Sequence, residues 1–237
     1  MGKDENFVWI TGAGTGIGRE LTKEFYKNGK NLILTSRGKE TLERLRKEIE
    51  VEDKLIDVIP LDVSNSGEVI QTAKKLEEDC SIECLVNNAG LTSYDKAEED
   101  SVEQIKEIIE TNLLGAIFMI KAVLPQMIER KRGTIINILS VVTKKIFPNS
   151  SAYSASKSGL LAYTNVLREE LRERNIRIIN VIPGATKTPI WPNNALEKFS
   201  DRMMKPENIA KIVYDIYSID SNMVVEDIVL RPIKGDL

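Results

Sequence analysis

The stretch that decides the fold of this chain is Thr11-Gly12-Ala13-Gly14-Thr15-Gly16-Ile17-Gly18. It follows a short apolar run, residues 7–10, and precedes a segment with helical spacing, residues 16–27. A strand, a glycine turn and a helix in this order favour dinucleotide binding, because the glycines let the backbone approach a pyrophosphate and the helix N-terminus points free N–H groups at it. The alternative is an ordinary glycine-rich turn between a strand and a helix.

The rest of the chain alternates short apolar segments, rich in Val, Ile and Leu, with longer helical patterns. This alternation predicts one α/β domain over residues 1–237, a Rossmann-type doubly wound parallel sheet with helices on both faces. Its ligand is expected at the carboxyl ends of the strands, where the strand order reverses. The predicted strands are 7–11, 31–36, 57–61, 83–87, 134–139, 177–182 and 223–230, and the predicted helices are 16–27, 39–52, 64–78, 102–131, 151–174 and 206–217.

Composition excludes several classes of protein. The chain has 237 residues and a formal charge of −3, which argues against a nucleic-acid partner or an anionic membrane surface. No secretory signal is visible, and the longest apolar run, 113–120, is too short to span a bilayer, so a cytoplasmic protein is expected. With no histidine, the chain has no Ser-His-Asp or Cys-His nucleophile, and no metal site is predicted. Cys80 and Cys84 are interpreted as buried thiols.

The end of the second predicted strand bears on the choice of cofactor. An acidic residue there would accept hydrogen bonds from the adenine ribose and repel a 2′-phosphate. This chain has neutral Ser36 followed by Arg37, whose planar guanidinium suits a phosphate. The pattern favours NADP(H) over NAD(H), and the alternative is a solvated surface arginine.

Tyr153 and Lys157 are the candidate catalytic pair. Four residues apart on a predicted helix, they share one face, and a nearby ammonium is expected to lower the tyrosine pKa. Such a tyrosine exchanges a proton with a carbonyl or alcohol oxygen. The spacing alone is weak, since Tyr26 and Lys30 repeat it across the predicted end of the first helix.

Further motifs strengthen this interpretation: Asn87-Asn88-Ala89-Gly90 after the fourth strand, Ser140 after the fifth, Asn112 in the long crossover, and the P-G-x-x-x-T pattern of 183–188. Together with T-G-x-x-x-G-x-G and the Tyr-Lys pair, they resemble the short-chain dehydrogenase/reductase family over residues 7 to about 190. The resemblance is to NADP-preferring members similar to 3-oxoacyl-[acyl-carrier-protein] reductases. It does not extend to the C-terminal fifth, which lacks the glycine-rich turn of many relatives.

The resemblance implies a role for each matching residue. Tyr153 would be the acid and base, Ser140 would polarise the substrate oxygen, Lys157 would tune the tyrosine and hold the nicotinamide ribose, and Asn112 would hold a water. For Asp62 the alternative to a cofactor contact is that it caps the helix that follows. For the asparagine-glycine segment the alternative is an ordinary turn. The expected contacts to NADP(H) are Gly12, Thr15, Gly16, Ile17, Gly18, Ser36, Arg37, Asp62, Val63, Asn88, Ala89, Gly90, Tyr153, Lys157, Pro183, Gly184, Thr186 and Thr188.

The aperiodic segment 187–204 is expected to be a substrate lid, or else a loop that covers the core. Its apolar residues favour a 3-oxoacyl thioester as substrate, then a small ketone or 3-hydroxy acid, then a sugar. Basic residues grouped at the entrance would suit an acidic carrier protein; the alternative is solvated surface charge. The candidate basic residues are Arg130, Lys131, Arg132, Lys144, Lys145 and Lys187, and the candidate lining residues are Leu91, Val141, Val142, Phe147 and Trp191.

The resemblance implies an NADP(H)-dependent oxidoreductase that interconverts a carbonyl and a secondary alcohol by hydride transfer, and two other functions compete with this one. A non-catalytic NADP-binding redox sensor would have no need of Tyr153 with Lys157. A nucleotide-sugar epimerase or dehydratase usually has a larger C-terminal domain and T-G-x-x-G-x-x-G spacing, neither of which occurs here. The resemblance also implies a homodimer or homotetramer, built on helices that include residues 112–131 and 151–174.

Overall fold

The computed structural model describes residues 5–50, 54–219 and 222–237, and within them seven parallel strands form one sheet. The strand order is β3-β2-β1-β4-β5-β6-β7, so the predicted doubly wound parallel sheet is confirmed. The strands are β1 (Asn6–Thr11), β2 (Asn31–Ser36), β3 (Ile56–Pro60), β4 (Ser81–Asn87), β5 (Gly133–Ile138), β6 (Ile176–Pro183) and β7 (Asp227–Leu230).

Eight α-helices connect or follow these strands in the described residues. They are α1 (Gly16–Lys27), α2 (Lys39–Ile49), α3 (Ser66–Asp79), α4 (Val102–Ile109), α5 (Ala116–Arg130), α6 (Ser151–Leu171), α7 (Asn193–Phe199) and α8 (Pro206–Tyr217). Between α4 and α5 the chain continues as a π-helical segment, Glu110–Gly115. The helix predicted over 102–131 is therefore one long rod with a widened turn in its middle.

Each central strand divides its side chains between two cores, as the two-residue repeat of a strand requires. In β1, Val8 and Ile10 are buried with α1, α2 and α8, while Phe7 and Trp9 are buried with α3, α5 and α6. Because both faces are covered, the strands are apolar nearly throughout.

A row of polar side chains crosses the sheet at one level. Asn87, Asn137, Asn180 and Asp227 occupy matched positions on β4 to β7. Amide nitrogens donate along the row, from Asn87 to Asn137 at 3.0 Å, from Asn137 to Asn180 at 3.2 Å and from Asn180 to Asp227 at 3.1 Å. These bonds fix the register of the strands whose carboxyl ends carry the predicted site residues.

Several boundaries differ from the predictions, most of them by one to three residues. Helix α3 begins after Asn65, whose side chain accepts from the backbone N–H of Glu68, so Asn65 and not Ser64 is the capping residue. Strand β7 begins at Asp227 and not at residue 223. The segment 187–204, predicted to lack a helix, contains α7. The predicted end of the second helix, residues 51 and 52, lies outside the described residues.

The rod Val102–Arg130 is long and apolar enough to cross a membrane by length and composition alone. Its apolar residues Met119, Ile120, Val123 and Met127 are fully buried against the sheet. The rod is thus accounted for as a core helix of this domain.

The strand order reverses between β1 and β4, which are neighbours in the sheet. The glycine loop follows β1, and the segment 88–90 follows β4. Both therefore leave the sheet at the crevice where open α/β sheets bind their ligands.

Candidate active site

A cleft of about 630 Å³ opens at the carboxyl ends of the strands. Fourteen of the predicted site residues line it. They are Gly12, Thr15, Gly16, Ile17, Asn88, Ala89, Gly90, Ser140, Tyr153, Lys157, Pro183, Gly184, Thr186 and Thr188. The predicted substrate residues Leu91, Val141, Val142, Phe147 and Trp191 line the same cleft.

The glycine loop is held against the end of β4 by Asn88 and Thr11. The amide nitrogen of Asn88 donates to the carbonyls of Thr11 and Gly12, at 3.0 and 3.1 Å, and Thr11 Oγ1 accepts from the backbone N–H of Asn88 and Ala89. Gly12 has φ +62°, and a Cβ there would lie 2.9 Å from the Ala89 Cα. Any larger residue at Gly12 would therefore be strained in backbone and in space. Gly18 packs on the Gly12 carbonyl behind the loop and does not line the cleft.

Tyr153 lies in the first turn of α6, with its side chain partly exposed at the cleft wall. Burial raises the pKa of its phenol, and a hydrogen bond with Ser140 opposes this rise. The predicted lowering of the Tyr153 pKa by Lys157 is therefore wrong for the structure as it stands. At neutral pH the phenol keeps its proton, the form that donates to a carbonyl oxygen.

Lys157, one turn further along α6, is 4% exposed. Its Nζ donates to the carbonyl of Ile138 at 2.8 Å and lies 5.9 Å from the centre of the Tyr153 ring. Burial away from water disfavours the ammonium and lowers the pKa of Lys157 to about 8. The Lys157 ammonium is thus directed at a neutral carbonyl at the end of β5.

Asn112 lies in the π-helical segment and is 1% exposed. Its amide bonds the Leu91 backbone in both directions, accepting at 2.7 Å and donating at 2.8 Å, and also donates to Ser156 at 3.0 Å. Asn112 thereby joins the loop after β4 to α6. A π-turn inserted in an α-helix often marks a functional position, and this one places the predicted asparagine.

Gly90 lies between Asn112 and Lys157. A Cβ at Gly90 would be 3.3 Å from Asn112 Oδ1 and 3.5 Å from Lys157 Nζ. Because Gly90 has no side chain, the space between Asn112 Oδ1 and Lys157 Nζ stays open, and both groups border it.

Six predicted residues do not line the cleft: Gly18, Ser36, Arg37, Asp62, Val63 and Asn112. Ser36 ends β2, with Arg37 next in the chain, and Asp62 and Val63 follow β3, so all four lie further along the same sheet edge.

Three of these four residues have side-chain partners, and the Ser36 hydroxyl donates to the Gly38 carbonyl at 3.3 Å. Asp62 accepts from the Ser64 backbone N–H at 3.0 Å and from its hydroxyl at 2.7 Å, which forms a local turn before α3 and does not cap that helix, since Asn65 does. Arg37 Nη1 lies 3.2 Å from Glu107 Oε1 of α4, with side chains 62% and 55% exposed. A pair so exposed is weak, and a phosphate would compete with Glu107 for Arg37.

The segment 187–204 is closed at its neck. The Lys187 N–H donates to the Met204 carbonyl at 2.9 Å, and the Met204 N–H donates to the Ala185 carbonyl at 2.9 Å. Trp191, inside the loop, stacks on Tyr94, with ring centres 5.3 Å apart. Residues 189–191 line the cleft, so this part of the segment contributes to the wall of the cleft.

Among the lining residues that the sequence interpretation missed, Tyr94 and Asp236 carry an aromatic and an acidic side chain. Neither belongs to a local motif. Tyr94 reaches the cleft through its contact with Trp191, 97 positions away, and Asp236 follows β7 in the region where the family resemblance ends.

The basic residues suggested for a carrier-protein surface do not group at the cleft. Arg130 donates to the carbonyl of Ile82 at 2.7 Å, near the start of β4. Lys131 and Arg132 precede β5, so these three lie at the amino edge of the parallel sheet, opposite the cleft. Only the lysines at 144, 145 and 187 follow strand ends on the cleft side, so the six basic residues do not form one group.

Comparison with known proteins gives concordant results. The short chain dehydrogenase family model matches residues 6–198. Sepiapterin reductase of Chlorobaculum tepidum is 36% identical over 241 residues, covering 98% of each chain.

Two solved structures illustrate the likeness of fold. An alcohol dehydrogenase of the archaeon Thermococcus sibiricus, complexed with 5-hydroxy-NADP, is 29% identical with TM-score 0.88, covering 99% of each chain. The closed form of a serine dehydrogenase complexed with NADP+ is 28% identical with TM-score 0.90, covering 98% of this chain and 96% of that one.

Proposed function

The chain belongs to the short-chain dehydrogenase/reductase family, and from its cleft we propose that it reduces a carbonyl compound with NADPH and catalyses the reverse alcohol oxidation. The observation that carries the proposal is the convergence of Tyr153, Ser140 and Lys157 on one cleft beside the glycine loop.

The residues divide the work as follows. NADPH, when bound, supplies the hydride. Tyr153 donates its proton to the carbonyl oxygen, and Ser140 donates a second hydrogen bond to that oxygen. The Lys157 ammonium holds the nicotinamide ribose and stabilises the phenolate that remains after proton transfer. Asn112 positions the loop after β4. It also holds a water in the space beside Gly90, and through this water Tyr153 regains its proton after each turnover.

NADP(H) is the proposed cofactor because two similar solved structures hold an NADP species and because Arg37 follows the last residue of β2, in the region where an acidic residue would reject a 2′-phosphate. On this proposal Arg37 leaves Glu107 and binds the phosphate, next to Thr15 and Ser36. The backbone of Gly16, Ile17 and Gly18 faces the pyrophosphate, and Asp62 and Val63 border the adenine.

At the other end of the cofactor, Thr188 and its neighbours in 183–188 hold the nicotinamide. Thr186 and Thr188 are buried in the loop that closes against Met204. Ala89 and Gly90 border the ribose between these two ends.

The cofactor proposal is tested by comparing kcat/KM for NADPH and NADH. We expect a preference for NADPH of at least about tenfold, the value of one charged hydrogen bond. The double variant Ser36→Asp, Arg37→Ala should shift the preference towards NADH. Equal use of both cofactors by the unaltered protein would contradict the role of Arg37.

The substrate is proposed as a small carbonyl compound with an apolar or aromatic body, since Phe147, Trp191 and Val142 line the cleft. A 3-oxoacyl thioester meets this requirement, as does a small ketone or 3-hydroxy acid, but the separated basic residues do not support delivery by an acidic carrier. Sepiapterin is a second candidate because the reductase named for it matches over nearly the whole chain.

The experiment that tests the function is an NADPH oxidation screen over acetoacetyl thioesters, diketones, 3-hydroxy acids (with NADP+) and sepiapterin. Turnover of a diketone without any thioester activity discards the acyl proposal and retains the reductase. No turnover of any compound, with NADPH binding intact, favours the redox sensor instead.

Assembly into a homodimer or homotetramer is also proposed. Helix α6 contacts α4 and the π-helical segment. Leu114 of the π-helical segment and Val166 of α6 are exposed. Exposed aliphatic side chains on neighbouring helices support a self-complementary interface. Light scattering at micromolar concentration tests this, and a monomer would contradict it.

A further inference from the structure

An ion pair joins the end of β2 to helix α4. Arg37 follows the last residue of β2, and its Nη1 lies 3.2 Å from Oε1 of Glu107, which is 70 positions further along the chain. In the part of the chain that the structure describes, Glu107 is the one acidic side chain paired with Arg37. Both side chains are more than half exposed, so the pair is open to any ion that approaches it.

The ion pair lies near the place proposed for the adenosine of the cofactor. Thr111, four residues beyond Glu107, lines a small cavity together with Val63, which is proposed to border the adenine. A Cβ added to Gly115 would lie 2.8 Å from Val63 Cγ2, so the π-helical segment packs closely on Val63. The preceding helix α4 is thereby held at the adenosine end of the site, where its Glu107 already occupies Arg37.

NADPH and NADH differ in their response to such a carboxylate. NADPH has a 2′-phosphate with about two negative charges at neutral pH, and NADH has a hydroxyl group there. To bind this phosphate, the Arg37 guanidinium has to leave Glu107, and the phosphate then lies near a like charge that disfavours it. NADH makes no demand on Arg37 and brings no phosphate towards Glu107. A carboxylate at position 107 therefore opposes the binding of NADPH and has little effect on that of NADH.

The exposure of the pair sets the size of the effect. An exposed ion pair changes an equilibrium constant by up to about fivefold, and salt weakens it further. Repulsion between Glu107 and the phosphate acts in the same direction and is screened by the same salt. Because a bidentate bond between a guanidinium and a phosphate is stronger than a single exposed contact, Arg37 still favours NADPH when Glu107 is present.

We propose that Glu107 is a positioning residue for Arg37, which holds the guanidinium in the free protein and thereby lowers the selectivity of the site for a 2′-phosphate. The proposal rests on the NADP(H) function proposed above. It adds to that function a residue which acts against the phosphate, so that the preference for NADPH is smaller than Arg37 alone would give.

The test compares dissociation constants of NADPH and NADH, measured by fluorescence without a carbonyl substrate. Glu107→Gln removes the charge and keeps the size of the side chain. Glu103→Gln is the matched control, because Glu103 is exposed in the first turn of the same helix. Adenosine 2′,5′-bisphosphate and AMP, which lack the nicotinamide, are measured by calorimetry with the same proteins.

We expect Glu107→Gln to bind NADPH and the bisphosphate about three- to fivefold more tightly at low salt, because Arg37 is free and the like charge is gone. NADH and AMP should be bound with nearly unchanged affinity, and Glu103→Gln should resemble the unaltered protein. Raising the salt to about 0.5 M should reduce the gain. In Arg37→Ala protein, Glu107→Gln should have little effect, because no guanidinium is left to release.

Three results would overturn the proposal. Weaker binding of NADPH by Glu107→Gln would show that Glu107 directs Arg37 towards the phosphate. Unchanged binding would show that the pair does not affect the cofactor. An equal gain for NADPH and NADH would show a general effect of surface charge and no action through Arg37.

Failure of the proposed function is visible separately. If the unaltered protein binds NADPH and NADH equally well, the assignment of Arg37 to the 2′-phosphate fails, and the proposal for Glu107 fails with it. If the unaltered protein binds NADPH selectively but reduces no carbonyl compound, the reductase function fails, while the binding comparison still decides the role of Glu107.

Discussion

Two tyrosine–lysine pairs have the same spacing in the sequence but lie in different environments, so the spacing alone does not identify a catalytic pair. Tyr26 and Lys30 lie at the end of α1, and Tyr153 and Lys157 lie in the first two turns of α6. Lys30 lies beyond the last residue of its helix, forms an ion pair with Glu83 at 2.9 Å and lies over the Tyr217 ring. Lys157 stays within its helix, is buried, and has the uncharged Ile138 carbonyl as its partner.

The difference between the pairs is therefore one of environment. A carboxylate neutralises the charge of Lys30, whereas Lys157 keeps its charge available beside a cleft. Tyr26 is 8% exposed in a hydrophobic core, whereas Tyr153 and Ser140 both line the cleft. Only the second pair lines the cleft, and matched substitutions in the two pairs test whether catalysis depends on it.

The largest effect is expected from Tyr153→Phe. Loss of the proton donor should lower kcat for carbonyl reduction at least about 100-fold, since general acid catalysis contributes that much or more. The dissociation constant for NADPH, measured by fluorescence, should change less than about threefold. Tyr26→Phe should leave kcat within about twofold, and an equal loss in both variants would refute the assignment.

A smaller effect is expected from Lys157→Ala, but on two quantities, kcat and the affinity for NADPH. The variant should lower kcat and also weaken NADPH binding about tenfold, because the lysine serves both the tyrosine and the ribose. Lys30→Ala should cost about 1 kcal/mol of the free energy of unfolding through its pair with Glu83, without effect on kcat. Normal NADPH binding by Lys157→Ala would contradict the proposal that Lys157 binds the nicotinamide ribose.

The smallest effect tests the space between Asn112 and Lys157. Gly90→Ala places a methyl group 3.3 Å from Asn112 Oδ1, so one of the polar groups must shift by a few tenths of an ångström. We expect kcat to fall about tenfold because small misplacements of catalytic groups are costly. Gly67→Ala, in the first turn of α3, is the control and should leave kcat unchanged. A fully active Gly90→Ala would show that this space is not used.

The sequence predicted the sheet and the main catalytic motifs because their signals are local. Apolar strands, the glycine loop and the Tyr-Lys spacing are each contained in a few consecutive residues. The pairing of Asn87 with Asn137 was not predicted, since it depends on strand neighbours 50 positions apart.

Three features of the site were not predicted because they depend on contacts between distant positions. The π-helical turn at Asn112 forms where its amide bonds the Leu91 backbone and where Gly115 packs on Val63. The raised pKa of Tyr153 follows from burial that no local pattern reports. Asp236 reaches the cleft only because basic residues at three separate positions hold it.

The central claim is that burial beside uncharged groups, and not spacing, sets Lys157 apart. Titration of the free protein with 13C-labelled lysine, followed by NMR at the carbon next to Nζ, tests it most directly. The environment of Lys157 predicts one resonance with a midpoint near pH 8, missing from Lys157→Arg and unchanged in Lys30→Arg. A spectrum in which no lysine titrates below about pH 9.5, close to the ordinary lysine value of about 10.4, would contradict the account.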